Sequence, residues 1–250
     1  MAVVVTRPDP EGSELCNTLL SKNIVAYHFP LIEFYQGSST APLPTYLESA
    51  DLIIAVSKQA VLWADKILQV EQKKWPVDKT YLAIGQKTAE KLSHVTDQKV
   101  HYPETSDSEH FLSLPVLQNL NGKRVVILRG NGGRELIYST LEKRGARVAY
   151  CEVYQRHKLT FDGRRALLDW QRNNVTHIVI TSGEQLEHLL AKMPDGEWLT
   201  HLTVIVPSKR IACLAQEFGF LKILVSGSAS NPDLLAAILP QCMTGQAHDK

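Results

Sequence analysis

The sequence predicts an α/β protein made of two similar halves, each a parallel sheet covered on both faces by helices. Three observations lead there. Short β-branched runs alternate with amphipathic helical patterns along almost all of the 250 residues. The strand runs are apolar throughout rather than alternating, as strands buried on both faces are. Finally, three segments recur in the same order, so that one half resembles the other.

In chain order the strand candidates are "AVVVT", "IVAYHF", "DLIIAVS", "TYLAIG", "KVHYP", "RVVILR", "ARVAYCEVYQ", "HIVITS", "LTVIV" and "KILVS". Each is a short run rich in Val, Ile, Tyr or Leu that stops at a turn former or a charge. Between them lie "SELCNTLLSKN", "KTAEKLSHV", "ELIYSTLEKRG", "EQLEHLLAKM" and "KRIACLAQEFG", whose apolar residues recur at helical spacing. The tail "MTGQAHDK" is polar, and disorder is expected for it.

The repeat pairs "VVVTRPDPEGSELCNTLLSKNIVAYHFPLIEFYQ" with "VVILRGNGGRELIYSTLEKRGARVAYCEVYQ". It also pairs "DLIIAVSKQAV" with "HIVITSGEQL", and "YLAIGQKTAEKL" with "TVIVPSKRIACL". Two organisations are compatible with it. Contiguous halves would meet near residues 121–123; alternatively, the segments ending "EFYQ" and "EVYQR" connect the halves, and the chain leaves one domain and returns later.

Composition excludes several classes. With 27 basic and 26 acidic residues the net charge is +1, so no general attraction to nucleic acid or to a membrane surface is built in. No apolar run approaches the roughly 20 residues of a membrane span. The start "MAVVVTRP" lacks a basic segment and a long apolar core, so a signal peptide is not expected. Cys16, Cys151, Cys213 and Cys242 are far apart and form no CxxC pair, which favours a reduced, cytoplasmic protein. The nine histidines show no ligand spacing, and no metal site is expected.

The stretch "VVILRGNGGREL" looks at first like a nucleotide loop. It is neither GxGxxG, because Glu135 stands at the third glycine, nor a Walker loop, because Gly-Lys-Ser/Thr is absent. An acid in the first helical turn repels phosphate and stabilises the helix dipole. The stretch therefore reads as a structural strand-to-helix turn.

Seven blocks carry a resemblance to a known family: "VVVTRP", "FPLIEF", "DLIIAVSKQAV", "AIGQKTAEKL", "GKRVVILRGNGGRELIYSTLEKRGARVAYCEVYQR", "HIVITSGEQLEHL" and "SGSASNPDLLAAI". Taken in this order, over nearly the whole chain, they resemble the uroporphyrinogen-III synthases. The resemblance implies two α/β domains with parallel sheets, joined by a two-stranded connector, with the active site in the cleft between them. Residues 1–35 and 157–250 would form one domain and 42–151 the other, with connector strands at 36–41 and 152–156. It implies a monomeric enzyme, a cyclising hydro-lyase, that needs no cofactor. Its substrate would be hydroxymethylbilane, a linear tetrapyrrole with eight carboxylates, with handover from the enzyme that forms it left open. The reaction loses water, inverts the last pyrrole ring through a spiro intermediate and closes the macrocycle. Since the bilane closes unaided to the non-inverted isomer, the protein's task is mostly positioning. The alternative reading is a non-catalytic two-domain module that captures an anionic small molecule.

Eight carboxylates in a nearly neutral protein point to backbone N–H groups at helix starts, beside the carboxyl ends of the strands. Ser57, Thr88, Ser182 and Ser208 are expected at such turns, with Gly183 beside Ser182. Each has a second reading as a plain N-cap. "AVS" at 55–57 departs from a Thr-Ser pair that "ITS" retains at Thr181 and Ser182, and Ser208 stands in for a family threonine. Arg7 matches a family position and would meet a carboxylate or form a structural ion pair; Arg129 is its repeat counterpart. Tyr154 matches a family tyrosine. As a phenol it stays protonated at neutral pH and can donate to a departing hydroxyl, or it is an amphipathic tyrosine at a sheet edge, as its counterpart Tyr35 warns.

Overall fold

All ten runs singled out as strands form strands, and an eleventh lies among the residues expected to lead into the connector. The structure is a computed structural model and describes residues 1–37, 43–132 and 135–244. The chain opens with β1 (Ala2–Val5), α1 (Glu11–Leu20), β2 (Val25–His28) and β3 (Ile32–Gln36). Next come α2 (Leu43–Ser49), β4 (Leu52–Ala55), α3 (Lys58–Val70), β5 (Thr80–Ala83), α4 (Gln86–Thr96), β6 (Val100–His101) and α5 (Ser108–Leu112). A 3-10 turn at Pro115–Leu117 leads to β7 (Arg124–Gly130), α6 (Leu136–Lys143) and the long β8 (Arg147–Lys158). The remainder is α7 (Gly163–Arg172), β9 (Val175–Val179), α8 (Gly183–Lys192), α9 (Gly196–Thr200), β10 (Thr203–Val206), α10 (Lys209–Glu217), β11 (Lys222–Val225) and α11 (Asn231–Thr244).

The chain divides into two compact units, Met1–Glu33 with His157–Lys250, and Phe34–Arg156. It passes from one to the other within β3 and within β8. Of the expected connector residues, 152–156 belong to β8, whereas 38–41 lie outside the described residues.

Each unit has its own sheet. The first has strand order β11-β10-β9-β1-β2, all parallel. The second has order β3-β8-β7-β4-β5-β6, parallel from β8 to β6. Reading β2-β1-β9-β10-β11 against β8-β7-β4-β5-β6 matches the repeat strand for strand: β1 with β7, β9 with β4, β10 with β5. The second unit is therefore the first with its chain order permuted, because β1 pairs with β9 only after the intervening unit has been made.

Both sheets are covered on both faces, which accounts for their continuous apolar strands. In the second sheet Ile53, Tyr81, Val126 and Leu128 pack into one cluster, and their neighbours Leu52, Leu82, Val125 and Ile127 into the other. In the first, Val4, Ile178, Val204 and Val206 alternate in the same way with Val3, Val5, Val179 and Ile205.

Six of the described helices lie outside the helical patterns read above: α2, α3, α5, α7, α9 and α11. α7 had the clearest unread signal. Asp162 caps it, accepting the amides of Arg164 (2.9 Å) and Arg165 (3.2 Å), while Ala166, Leu167 and Trp170 bury one face. The tail expectation is corrected in part: α11 runs through Met243 and Thr244, and residues 245–250 lie outside the described residues. Replacing Asp162 by Ala should cost about 1 kcal/mol, seen as a lower urea midpoint at unchanged slope. An unshifted midpoint would mean that the burial of Trp170 alone holds the helix start.

Candidate active site

In doubly wound sheets ligands sit beyond the carboxyl ends of the strands, where successive crossovers turn in opposite directions. In the first unit that point lies between β1 and β9; in the second, between their counterparts β7 and β4. Both points carry residues that the sequence put forward, and each is described in its own unit.

Beyond β4 and β7 lies a cavity of about 440 Å³, lined among others by Ser57, Ser106, Arg129, Gly130, Tyr150 and Tyr154. Tyr154 is brought there by a β-bulge. β7 and β8 pair Arg129 with Glu152 and then Gly130 with Tyr154, so β8 has one residue more than β7 at this point. The extra residue re-aims the chain, and Tyr154 joins the cluster that already holds Cys151 and Val153. Tyr154 is therefore not an edge tyrosine. It is 6% exposed, on a strand flanked by β7 and β3, with Phe34 edge-on at 5.5 Å.

The ring fits only because residue 130 is glycine. A methyl group on Gly130 would stand 2.5 Å from two ring carbons of Tyr154 and 3.0 Å from its hydroxyl. Beyond the bulge, Asn131 continues the pairing by side chain, accepting the Arg156 amide (2.9 Å) and donating to the Arg156 carbonyl (3.3 Å). Across the cavity, Ser57 caps α3: its Oγ accepts the Ala60 amide (3.1 Å) and lies 3.4 Å from the Tyr154 hydroxyl.

Arg129 is buried at the end of β7. Its guanidinium stacks on Tyr150 at 4.2 Å, donates from Nη1 to Glu135 Oε1 (3.0 Å), and from Nε to the Gly130 carbonyl (3.2 Å). The second oxygen of Glu135 accepts the Tyr150 hydroxyl at 2.7 Å. Glu135 is thus the N-cap residue of α6 and also a tie between two cavity side chains, which gives the "GNGGRE" turn its structural task. The Tyr150 hydrogen bond, followed by Arg129, holds the Glu135 carboxyl below the usual range, while burial and Glu135 push the Tyr150 phenol up.

Thr88 is not at a turn. α4 is capped by Gly85, and Thr88 is the third residue of the helix, buried, with its amide donating to the Gly85 carbonyl at 3.1 Å. The reason is the close crossing of Ser106, whose Oγ would lie 2.2 Å from a methyl group on residue 85. Only glycine takes that place, so the helix begins earlier than the threonine suggested.

In the first unit, Ser182 caps α8 and accepts the Gln185 amide at 3.2 Å. Gln185 turns back to accept from Thr181 N (2.9 Å) and Oγ1 (3.0 Å), and reaches the Thr6 carbonyl, tying β9 to β1. Gly183 gives room to α10, since a methyl there would lie 2.9 Å from Leu214. Ser208 occupies the N-cap of α10 without a capping side-chain hydrogen bond. Among the described residues Arg7 forms no ion pair: its Nη1 donates to Asn231, and its Nε is the one buried side-chain donor there without a partner. Burial lowers the Arg7 pKa, and Glu11 and Glu14 oppose the shift.

The family model described as uroporphyrinogen-III synthase HemD matches residues 13–236. The chain belongs to the uroporphyrinogen-III synthase family. It is 45% identical over 245 residues to the uroporphyrinogen-III synthase of Escherichia coli, covering 95% of this chain and 100% of that protein. Its identity to the Salmonella typhimurium uroporphyrinogen-III synthase is 42% over 245 residues, with the same coverage. Among solved structures, a mutant uroporphyrinogen III synthase from Thermus thermophilus shares the fold, with TM-score 0.68 at 15% identity over 98% of this chain and 99% of that one. The synthase family thus has in this chain two permuted α/β units, and the side chains brought together around Tyr154 belong to one of them.

Gly130→Ala should destabilise the protein by about 1–3 kcal/mol through overpacking, measured by urea unfolding. An unchanged midpoint would show that the Tyr154 ring can leave its place. A carbon-detected NMR titration should put the Glu135 carboxyl below the ordinary glutamate range, and Tyr150→Phe should move it upwards; no movement would remove the phenol as its main partner.

Proposed function

We propose that this protein converts hydroxymethylbilane to uroporphyrinogen III, as a carbon–oxygen lyase of tetrapyrrole biosynthesis. The observation that carries the reading is the 45% identity, over almost its full length, to the Escherichia coli uroporphyrinogen-III synthase. The chemistry follows from the substrate. Protonation of the terminal hydroxyl lets an electron-rich pyrrole break the C–O bond and release water. The cation left behind is attacked by the substituted α-carbon of the far ring, giving the spiro intermediate. The bond from that carbon to its original bridging methylene then breaks and re-forms at the ring's other α-carbon, which loses a proton as the macrocycle closes.

In this reading Tyr154 donates that proton. Ser57 Oγ already accepts the Ala60 amide, so its own hydrogen can turn to the Tyr154 oxygen, leaving the phenol hydrogen for the cavity. The substrate carboxylates are held by helix-start amides at Ser57, Ser182, Gly183 and Ser208, and at Gly85–Gln86 in place of Thr88. Arg7 serves as a further anchor, because a buried guanidinium N–H without a partner is a costly feature that an incoming carboxylate relieves. A reduced, cytoplasmic setting suits the free thiols of Cys16 and Cys213, and no described helix is long and apolar enough to cross a membrane; we take the enzyme to act as a monomer.

Freshly made hydroxymethylbilane should give the inverted isomer with the wild-type protein, by chromatography of the oxidised porphyrins. Formation of the spontaneous isomer alone would overturn the reading and favour a binding module. Tyr154→Phe should slow closure about a hundredfold without abolishing it, the low end of what a positioned acid contributes. Full activity in that variant would remove the acid role.

A further inference from the structure

We infer that Arg129 is a substrate-binding residue whose guanidinium receives one carboxylate of the tetrapyrrole in the cavity beyond β4 and β7. The inference rests on the synthase reading above and adds to it a side chain in the second unit that meets an acid arm. Three features of the cavity point to it.

First, Arg129 is 6% exposed and yet lines the cavity. A turn needing only to be packed would be served as well by an apolar side chain, whereas a desolvated guanidinium beside an open space is suited to an anion. Second, its plane is fixed before any ligand arrives. Tyr150 supports one face, and Tyr138 in turn packs on Tyr150 with ring centroids 4.6 Å apart. Such stacking preserves the fork geometry that carboxylates accept, at little loss of side-chain freedom on binding.

Third, the anions nearby are already engaged. Glu135 gives one oxygen to Arg129 and the other to the Tyr150 hydroxyl, so its carboxylate is shared between two side chains of the cavity. Asp107, the acid in the cavity wall, caps α5 through the His110 amide (2.7 Å) and contacts His110 Nδ1 at 2.7 Å and 2.8 Å. The wall also carries Arg156 and the hydroxyls of Ser57, Ser106 and Ser108, so it is donor-rich. A volume of about 440 Å³ is too small for the whole tetrapyrrole and suits one pyrrole with its acid arms.

The test compares the wild type with Arg129→Gln and Arg129→Lys, by binding and by turnover. The binding probe is uroporphyrin III, the oxidised eight-carboxylate product, followed by fluorescence quenching. Arg129→Gln should weaken its binding about ten- to hundredfold, the loss of one charge-assisted contact, with Arg129→Lys in between. With hydroxymethylbilane the same variant should raise KM by a similar factor, leave kcat within about threefold and still give the inverted isomer. A purely structural role would instead lower kcat and the unfolding midpoint together, and lysine would not partly restore binding. Binding and KM within twofold of wild type in folded Arg129→Gln would overturn the inference. If that variant does not fold, Arg129→Lys decides: binding within twofold of wild type overturns it and a threefold or larger loss supports it. Wild-type protein that yields only the spontaneous isomer would overturn the synthase reading, and the porphyrin binding ratio would still decide for or against Arg129.

Discussion

The contact between the Tyr154 ring and the bare α-carbon of Gly130 organises the second unit's cavity. Two requirements meet in it. The bulge at Arg129/Gly130 must shift β8 by one residue so that Tyr154 turns towards the cavity, and residue 130 must lack a side chain so that the ring can lie against the strand there. Everything around it follows in short steps. The ring hydroxyl comes within 3.4 Å of the Ser57 cap, and Asn131 pins the strand beyond the bulge through both backbone groups of Arg156. The next residue back along β7, Arg129, is left at the cavity wall over Tyr150.

This arrangement separates rigidity from chemistry. The sheet is covered on both faces and close-packed, so its strand ends cannot drift. The polar side chains at the strand ends are each tied to at least one other group: Ser57 to an amide, Arg129 to Glu135, Thr181 to Gln185. A reaction whose outcome depends on which carbon of the far ring meets the reactive end of a flexible bilane needs that kind of fixed donor array more than it needs a strong catalyst. The same logic explains why helix starts recur as candidate contacts: an amide at a capped helix start is held by the helix itself.

Much of this was legible in the residues. The continuous apolar strands gave the parallel sheets, and the repeat proved to be a repeat of strand order, β2-β1-β9-β10-β11 against β8-β7-β4-β5-β6. Serine at a strand-to-helix junction marked the caps at Ser57, Ser182 and Ser208 because its short hydroxyl suits that place. Thr88 misled for a physical reason: hydroxyl type cannot reveal that Ser106 crosses so close to residue 85 that glycine must be the cap. The bulge was hidden because it is a relation between two strands and leaves no pattern within either. Gly130 was visible as part of a glycine run, but its partner, Tyr154, lies 24 residues on. Arg129 and Glu135 could each be noticed; that they share Tyr150 is a product of packing.

A structure of the protein with its tetrapyrrole product bound tests the central claim most directly, that the cavity beside Gly130 and Tyr154 receives the reacting end of the substrate. The account predicts a pyrrole ring in that cavity with its meso carbon facing the Tyr154 hydroxyl and one acid arm on Arg129. A tetrapyrrole bound elsewhere, with Tyr154 in contact only with Phe34, Gly130 and Ser57, would contradict it.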